Sequence, residues 1–189
     1  MAAINLPDKD MTFIHIPKNG GSSVVQWLRN NFNNTELIAG HASMSMLQEH
    51  WTIKRSFAIV RNPWARIVSA YFYLKQYGFY WEANNITGVD DFPTFDSFVY
   101  SLNYDLKSWN TVGTNQVDWL CSKDTLILRA ESLDTDFKQI QLLLDCQVPL
   151  PFINRSEHDA DYRLYFNTEQ VQHIARVFQR DIDRFGYKY

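Results

Sequence analysis

The sequence predicts an α/β fold: a single domain over residues 1–189, with a central parallel sheet flanked by helices. Short apolar runs at residues 11–16, 56–60 and 125–129 each lead into a helix-compatible stretch, and such alternation favours a parallel sheet with helices on its faces. The first run passes into a Gly/Ser turn holding one lysine, a P-loop-like phosphate-binding loop after the first strand. A chain of 189 residues that is 46% hydrophobic and 15% aromatic can bury a core of its own.

The first strand and loop are Phe13-Ile14-His15-Ile16-Pro17-Lys18-Asn19-Gly20-Gly21-Ser22-Ser23, followed by a helix with Val24, Val25, Leu28 and Phe32 on its buried side. Gly20 and Gly21 let the backbone approach an anion. The Ser22 and Ser23 hydroxyls join free N–H groups at the positive end of the helix dipole. A glycine turn between strand and helix also has a purely structural reading. The nucleotide-triphosphatase loop, GxxxxGK followed by Ser or Thr, places its lysine after the glycines; here Lys18 precedes them.

The second strand, Ser56-Phe57-Ala58-Ile59-Val60, runs directly into Arg61-Asn62-Pro63-Trp64-Ala65-Arg66-Ile67-Val68-Ser69. Asn62 suits an N-cap and Pro63 the first helical position, which puts Arg61 at the strand's carboxyl end. Ser69 lies two turns along the helix, on nearly the same face as Asn62, so Arg61 and Ser69 can converge on one group. Arginine with a fixed hydroxyl suits a phosphate monoester. Arg66 shares the Ser69 face and either reaches the same ligand or pairs with a carboxylate.

These two segments, in this order, resemble sulfotransferases that use 3′-phosphoadenosine 5′-phosphosulfate (PAPS). PKxGGxS resembles their 5′-phosphosulfate loop and FAIVRNPWARIVSAYF their 3′-phosphate segment, with Asn19 and Ser22 standing where Thr is common. Leu126 to Leu133 with Asp136-Phe137, Asn154-Arg155-Ser156, and Asp181 to Tyr187 extend the similarity over nearly the whole chain. It is nearest to the carbohydrate, heparan 2-O-sulfotransferase-like group and its short bacterial and viral relatives. The resemblance implies that Lys18, Asn19, Gly20, Gly21, Ser22 and Ser23 hold the 5′-phosphosulfate and Arg61 and Ser69 the 3′-phosphate. Arg155 and Ser156 would lie in a segment that closes over the nucleotide. The implied reaction is sulfuryl transfer from PAPS to a small-molecule or glycan hydroxyl, releasing adenosine 3′,5′-bisphosphate without a metal.

That chemistry needs a cation on the leaving phosphate and a base for the acceptor's proton. Lys18 suits the first task, with a solvated surface lysine as its plain reading. His41, in Ile38-Ala39-Gly40-His41, is the candidate base because relatives carry a histidine between the two phosphate motifs; a lone histidine can equally be structural. His15, His50 and His158 are weaker candidates, and an Asp or Glu base remains open. Glu131 reads as a residue that orients Arg129 or caps a helix.

The other elements follow from pattern. A final helix should open with Asn167 as cap and Gln170 three residues later, then present Val171, Ile174, Ala175, Phe178, Ile182 and Phe185 as one stripe. Residues 71–109 are rich in aromatic rings, which suit either sugar stacking near the acceptor or packing. A net charge of −3 speaks against a nucleic-acid surface. Cys121 and Cys146 form no metal or disulfide pattern and read as buried thiols. With no leader, anchor or long apolar run, the expectation is a cytoplasmic protein without a membrane anchor. Two other functions use similar parts: a nucleotide or small-molecule kinase, and a non-catalytic nucleotide-binding module.

Overall fold

In the computed structural model, residues 2–77, 79–82, 85–88, 92–102, 112–120, 124–153 and 161–189 are described, with 79–82 and 85–88 as backbone alone. In chain order the elements are β1 (Ala2–Leu6), β2 (Met11–Ile14), α1 (Gly21–Asn31), β3 (Glu36–Ala39), α2 (Met44–Gln48), β4 (Arg55–Val60), α3 (Pro63–Tyr77), β5 (Phe79–Glu82), β6 (Asn85–Gly88), α4 (Phe95–Ser101), β7 (Leu126–Arg129), α5 (Leu133–Leu144), α6 (Thr168–Val177) and α7 (Gln179–Phe185). They form two compact units: Met1–Arg61 with Asp118–Arg155, and Asn62–Val117 with Ser156–Tyr189.

The first unit holds a five-stranded sheet of order β3-β1-β2-β4-β7. The three apolar runs read from sequence are its parallel part, β2 beside β4 and β4 beside β7, and each is followed by a helix. Two strands the sequence did not announce extend the sheet: β1 runs antiparallel to both β2 and β3. Because side chains alternate along a strand, Ile4, Leu6, Met11, Phe13, Phe57, Ile59 and Leu128 gather in one cluster. Val24, Trp27 and Leu28 of α1 join them, as do Phe137, Ile140 and Leu144 of α5. Trp27 is fully buried and satisfies its indole N–H on the Val148 carbonyl at 2.7 Å. With β2, β4 and β7 parallel, their carboxyl ends lie along one edge, where ligands bind in sheets of this kind.

The second unit is built on α3. Asn62 caps it as expected: Oδ1 accepts from the Trp64 N–H at 3.1 Å and the Ala65 N–H at 3.4 Å, with Pro63 at the first position. Its core joins Trp64, Ile67, Ala70, Tyr71 and Leu74 to Phe92, Phe98, Val99 and Leu102, and to Ile174, Val177 and Phe178. The expected final helix does open on Asn167, which forms a reciprocal capping box with Gln170, each bond 2.9 Å. It is not continuous. Phe178 leaves helical geometry (φ −109°, ψ 28°) and the chain restarts as α7.

Hydrogen bonds from elsewhere in the unit hold that break. Asn115 Nδ2 donates to the terminal α6 carbonyl of Val177 at 3.1 Å, while its Oδ1 accepts from the Asp181 N–H at 3.3 Å. The buried Asp181 carboxylate in turn accepts from the Gln116 N–H, the Val117 N–H and Gln116 Nε2, all within 3.1 Å. A straight helix would forfeit these bonds, and buried polar groups left unmatched cost about 1–3 kcal/mol each.

Candidate active site

The loop after β2 is shaped by backbone conformation before any ligand is considered. Lys18 and Gly20 both take left-handed geometry, φ 68° and 84°, and only glycine enters that region without cost. Gly20 is the N-cap of α1 and contributes no capping side chain, so the helix dipole faces the loop. The buried Asn19 side chain turns inward, its Nδ2 donating to the Ile59 carbonyl at 2.7 Å and pinning the loop to β4. Ser22 is half-buried. Ser23 is buried, and its Oγ accepts from the Ile153 N–H at 3.4 Å, tying α1 to the segment that leads toward residue 154.

Gly21 has a different reason to be glycine. Its φ is not positive, but a Cβ there would overlap Cδ2 and Nε2 of His15. The fully buried His15 ring, stacked on Phe13 with centroids 5.5 Å apart, therefore fills the space beneath the loop. Burial, and then His41, hold its imidazole well below the usual histidine range.

Arg61, at the end of β4, reaches the same loop: Nη1 donates to the Lys18 carbonyl at 3.2 Å. That bond braces the left-handed residue and brings the Arg61 charge near enough to act on the Lys18 ammonium. Burial first, and Arg61 second, lower the Lys18 ammonium from its ordinary value to about 7. An anion beside the Lys18 ammonium would push it back up, because an opposite charge favours the protonated form.

His41 follows Gly40, whose φ of 86° turns the chain out of β3, and precedes the Ser43 cap of α2. Its Nδ1 lies 3.0 Å from the His15 carbonyl oxygen. A carbonyl only accepts, so Nδ1 carries a proton, and in the neutral ring Nε2 is the basic nitrogen. The ring sits edge-on to His15 (4.7 Å) and to Trp119 (6.3 Å).

The remaining expectations separate. Ser69 is buried on α3, in the second unit. Arg66 is also fully buried there, and it takes the structural alternative: Nη1 donates to the Thr114 carbonyl at 3.0 Å, and its charge opposes the upward push of burial on Asp181. Arg155, Ser156, His158 and Cys121 lie outside the described residues, and Cys146 is a half-buried free thiol. His15 is closed to an acceptor by burial, with Nδ1 donating to the Ala2 carbonyl at 3.2 Å, whereas His50 is exposed. Of the aromatic stretch, Tyr71, Phe72, Phe95 and Phe98 pack ring against ring within the second core. Sequence reasoning missed Trp119 beside His41 and the double contact of His15. The one signal was a histidine interrupting an apolar run just before the loop.

Among the described residues no group of His, Cys, Asp and Glu could hold a metal ion, and no helix is long and apolar enough to cross a membrane. Among curated proteins none shows significant similarity to the sequence. Among solved structures, the crystal structure of mouse sulfotransferase SULT7A1 complexed with PAP is similar in fold, with a TM-score of 0.61 at 15% identity, over 94% of this chain and 86% of that one. The profile of the sulfotransferase family matches residues 2–188. With a match of that extent, the chain belongs to the sulfotransferase family.

Proposed function

We propose that the protein transfers a sulfuryl group from PAPS to a hydroxyl of a carbohydrate acceptor, within one catalytic domain spanning residues 1–189. The observation that carries this reading is the bond from Arg61, at the end of β4, to the Lys18 carbonyl in the loop that follows the parallel neighbour β2, beside a start of α1 with no capping side chain. In the proposal Lys18 neutralises charge growing on the leaving phosphate, and the N–H groups of Gly20 to Ser23 with the Ser22 hydroxyl hold that phosphate. Asn19 keeps the loop in shape. Arg61 and Ser69 take the 3′-phosphate, an assignment that rests on the sequence motif, as does the closing role of Arg155 and Ser156. His41 accepts the acceptor's proton at Nε2, which its bond to the His15 carbonyl leaves as the basic nitrogen. The carbohydrate acceptor rests on the sequence resemblance to carbohydrate sulfotransferases.

Thermal unfolding with adenosine 3′,5′-bisphosphate, ADP and ATP tests the nucleotide assignment. At about a hundredfold its dissociation constant a ligand stabilises by roughly 2.7 kcal/mol, on the order of 5–10 °C for a chain of this length. The bisphosphate alone should do so, and Arg61→Ala should abolish the effect. Equal stabilisation by ATP would replace this reading with a kinase.

A further inference from the structure

His15 is a buried titratable residue to which the proposed chemistry gives no task, yet it touches both parts of the candidate site. Its ring meets Gly21 so closely that no Cβ fits there. The same ring packs in a T-shaped arrangement with the His41 ring, centroids 4.7 Å apart. Its own carbonyl oxygen accepts a hydrogen bond from His41 Nδ1 at 3.0 Å. The ring is fixed in turn by its Nδ1 bond to the Ala2 carbonyl in β1 and by stacking on Phe13.

We propose that His15 is the positioning residue of His41: ring and carbonyl together fix the tautomer and orientation of the His41 imidazole and register it against Gly21 of the phosphate loop. The inference rests on the reading of His41 as the base, but its geometric content does not. A tautomer is held only if the bonded nitrogen stays within reach of its acceptor. The carbonyl fixes one ring nitrogen, and the His15 ring, together with Trp119, gives the imidazole a surface to rest against. Without that ring the imidazole is free to shift from its position. Small misplacements of this kind cost a catalyst up to about a hundredfold in rate.

The test is ¹⁵N NMR of the histidine side chains in the wild-type chain and in His15→Asn, without ligand. Asparagine can keep a donor toward the Ala2 carbonyl while removing the edge that meets His41 and Gly21. Wild-type His41 should show a single tautomer protonated at Nδ1, and His15→Asn should show signals averaged over both tautomers. In a turnover assay the variant should lose about tenfold or more in kcat, with affinity for adenosine 3′,5′-bisphosphate within about threefold of wild type. An Nε2-protonated His41 in the wild-type chain overturns the proposal whether or not the variant folds, and unchanged His41 signals in His15→Asn overturn it too. If His41→Asn retains full turnover while His15→Asn still scrambles the tautomer, the positioning stands and the base assignment falls.

Discussion

Lys18 near neutrality makes ligand binding a proton-uptake reaction. In the free protein burial and Arg61 bring its ammonium to about 7, against an ordinary 10.5 in the unfolded chain. Between those values the unfolded state holds the extra proton, so this group makes stability rise with pH across that window. A phosphate seated against Lys18 and Arg61 reverses the situation by favouring the charged form. If it restores the ordinary value, wild-type protein at pH 8.5 goes from about 3% to about 99% protonated at this site, taking up roughly one proton per ligand. Affinity for adenosine 3′,5′-bisphosphate should then fall about fiftyfold between pH 7 and 9, a range in which the ligand's own phosphates are ionised. Isothermal titration at pH 8.5 in two buffers of unlike ionisation enthalpy reads the proton number directly. Lys18→Met should bind more weakly and take up none. Zero uptake by the wild-type protein, or uptake that persists in Lys18→Met, refutes the placement of this lysine against the bound phosphate.

Other outcomes follow from packing. Gly21→Ala should cost on the order of 1–3 kcal/mol in urea denaturation, because its Cβ meets the His15 ring, and the penalty should shrink when His15→Asn is already present. At Gly20, where φ is 84° and the space is open to ordinary contact with Leu133, alanine should cost about 1–2 kcal/mol from backbone strain alone, whatever stands at position 15. Asp181→Asn replaces an acceptor facing three N–H donors and should lower stability by about 2 kcal/mol, or roughly 4–8 °C in thermal unfolding. Burial raises the Asp181 carboxyl, so the folded chain keeps that proton to higher pH than the unfolded one. Stability contributed by this residue therefore falls as pH rises above 3.8, a slope the Asn variant should lack.

The parts legible in the sequence are those in which local chemistry and tertiary structure agree. Ser56 to Val60 with Asn62-Pro63 reads as strand, cap and helix start, because continuous apolar residues and the capping side chain each act within a few positions. Where partners are distant, the pattern is silent. Ala2–Leu6 contains two alanines and an asparagine, and it is a strand because β2 and β3 flank it. Glu36–Ala39 is an exposed edge without an alternating face. The stripe from Val171 to Phe185 is continuous as a pattern, yet Asn115 and Asp181 break it with bonds from residues more than sixty positions apart.

Gly21 carries the same point into the active site. A GlyGly pair before a helix invites one explanation, close approach to an anion, and Gly20 with its left-handed backbone is consistent with it. Gly21 needs no unusual φ, and the atoms that exclude a side chain there belong to His15, six residues earlier and just past the end of β2. Sequence spacing cannot separate these causes, since both yield glycine. Substitution can: a glycine kept for the ligand loses binding when replaced, with no stability cost beyond that of any left-handed φ. A glycine kept for His15 loses stability first, and its replacement disturbs His41 before any nucleotide is added.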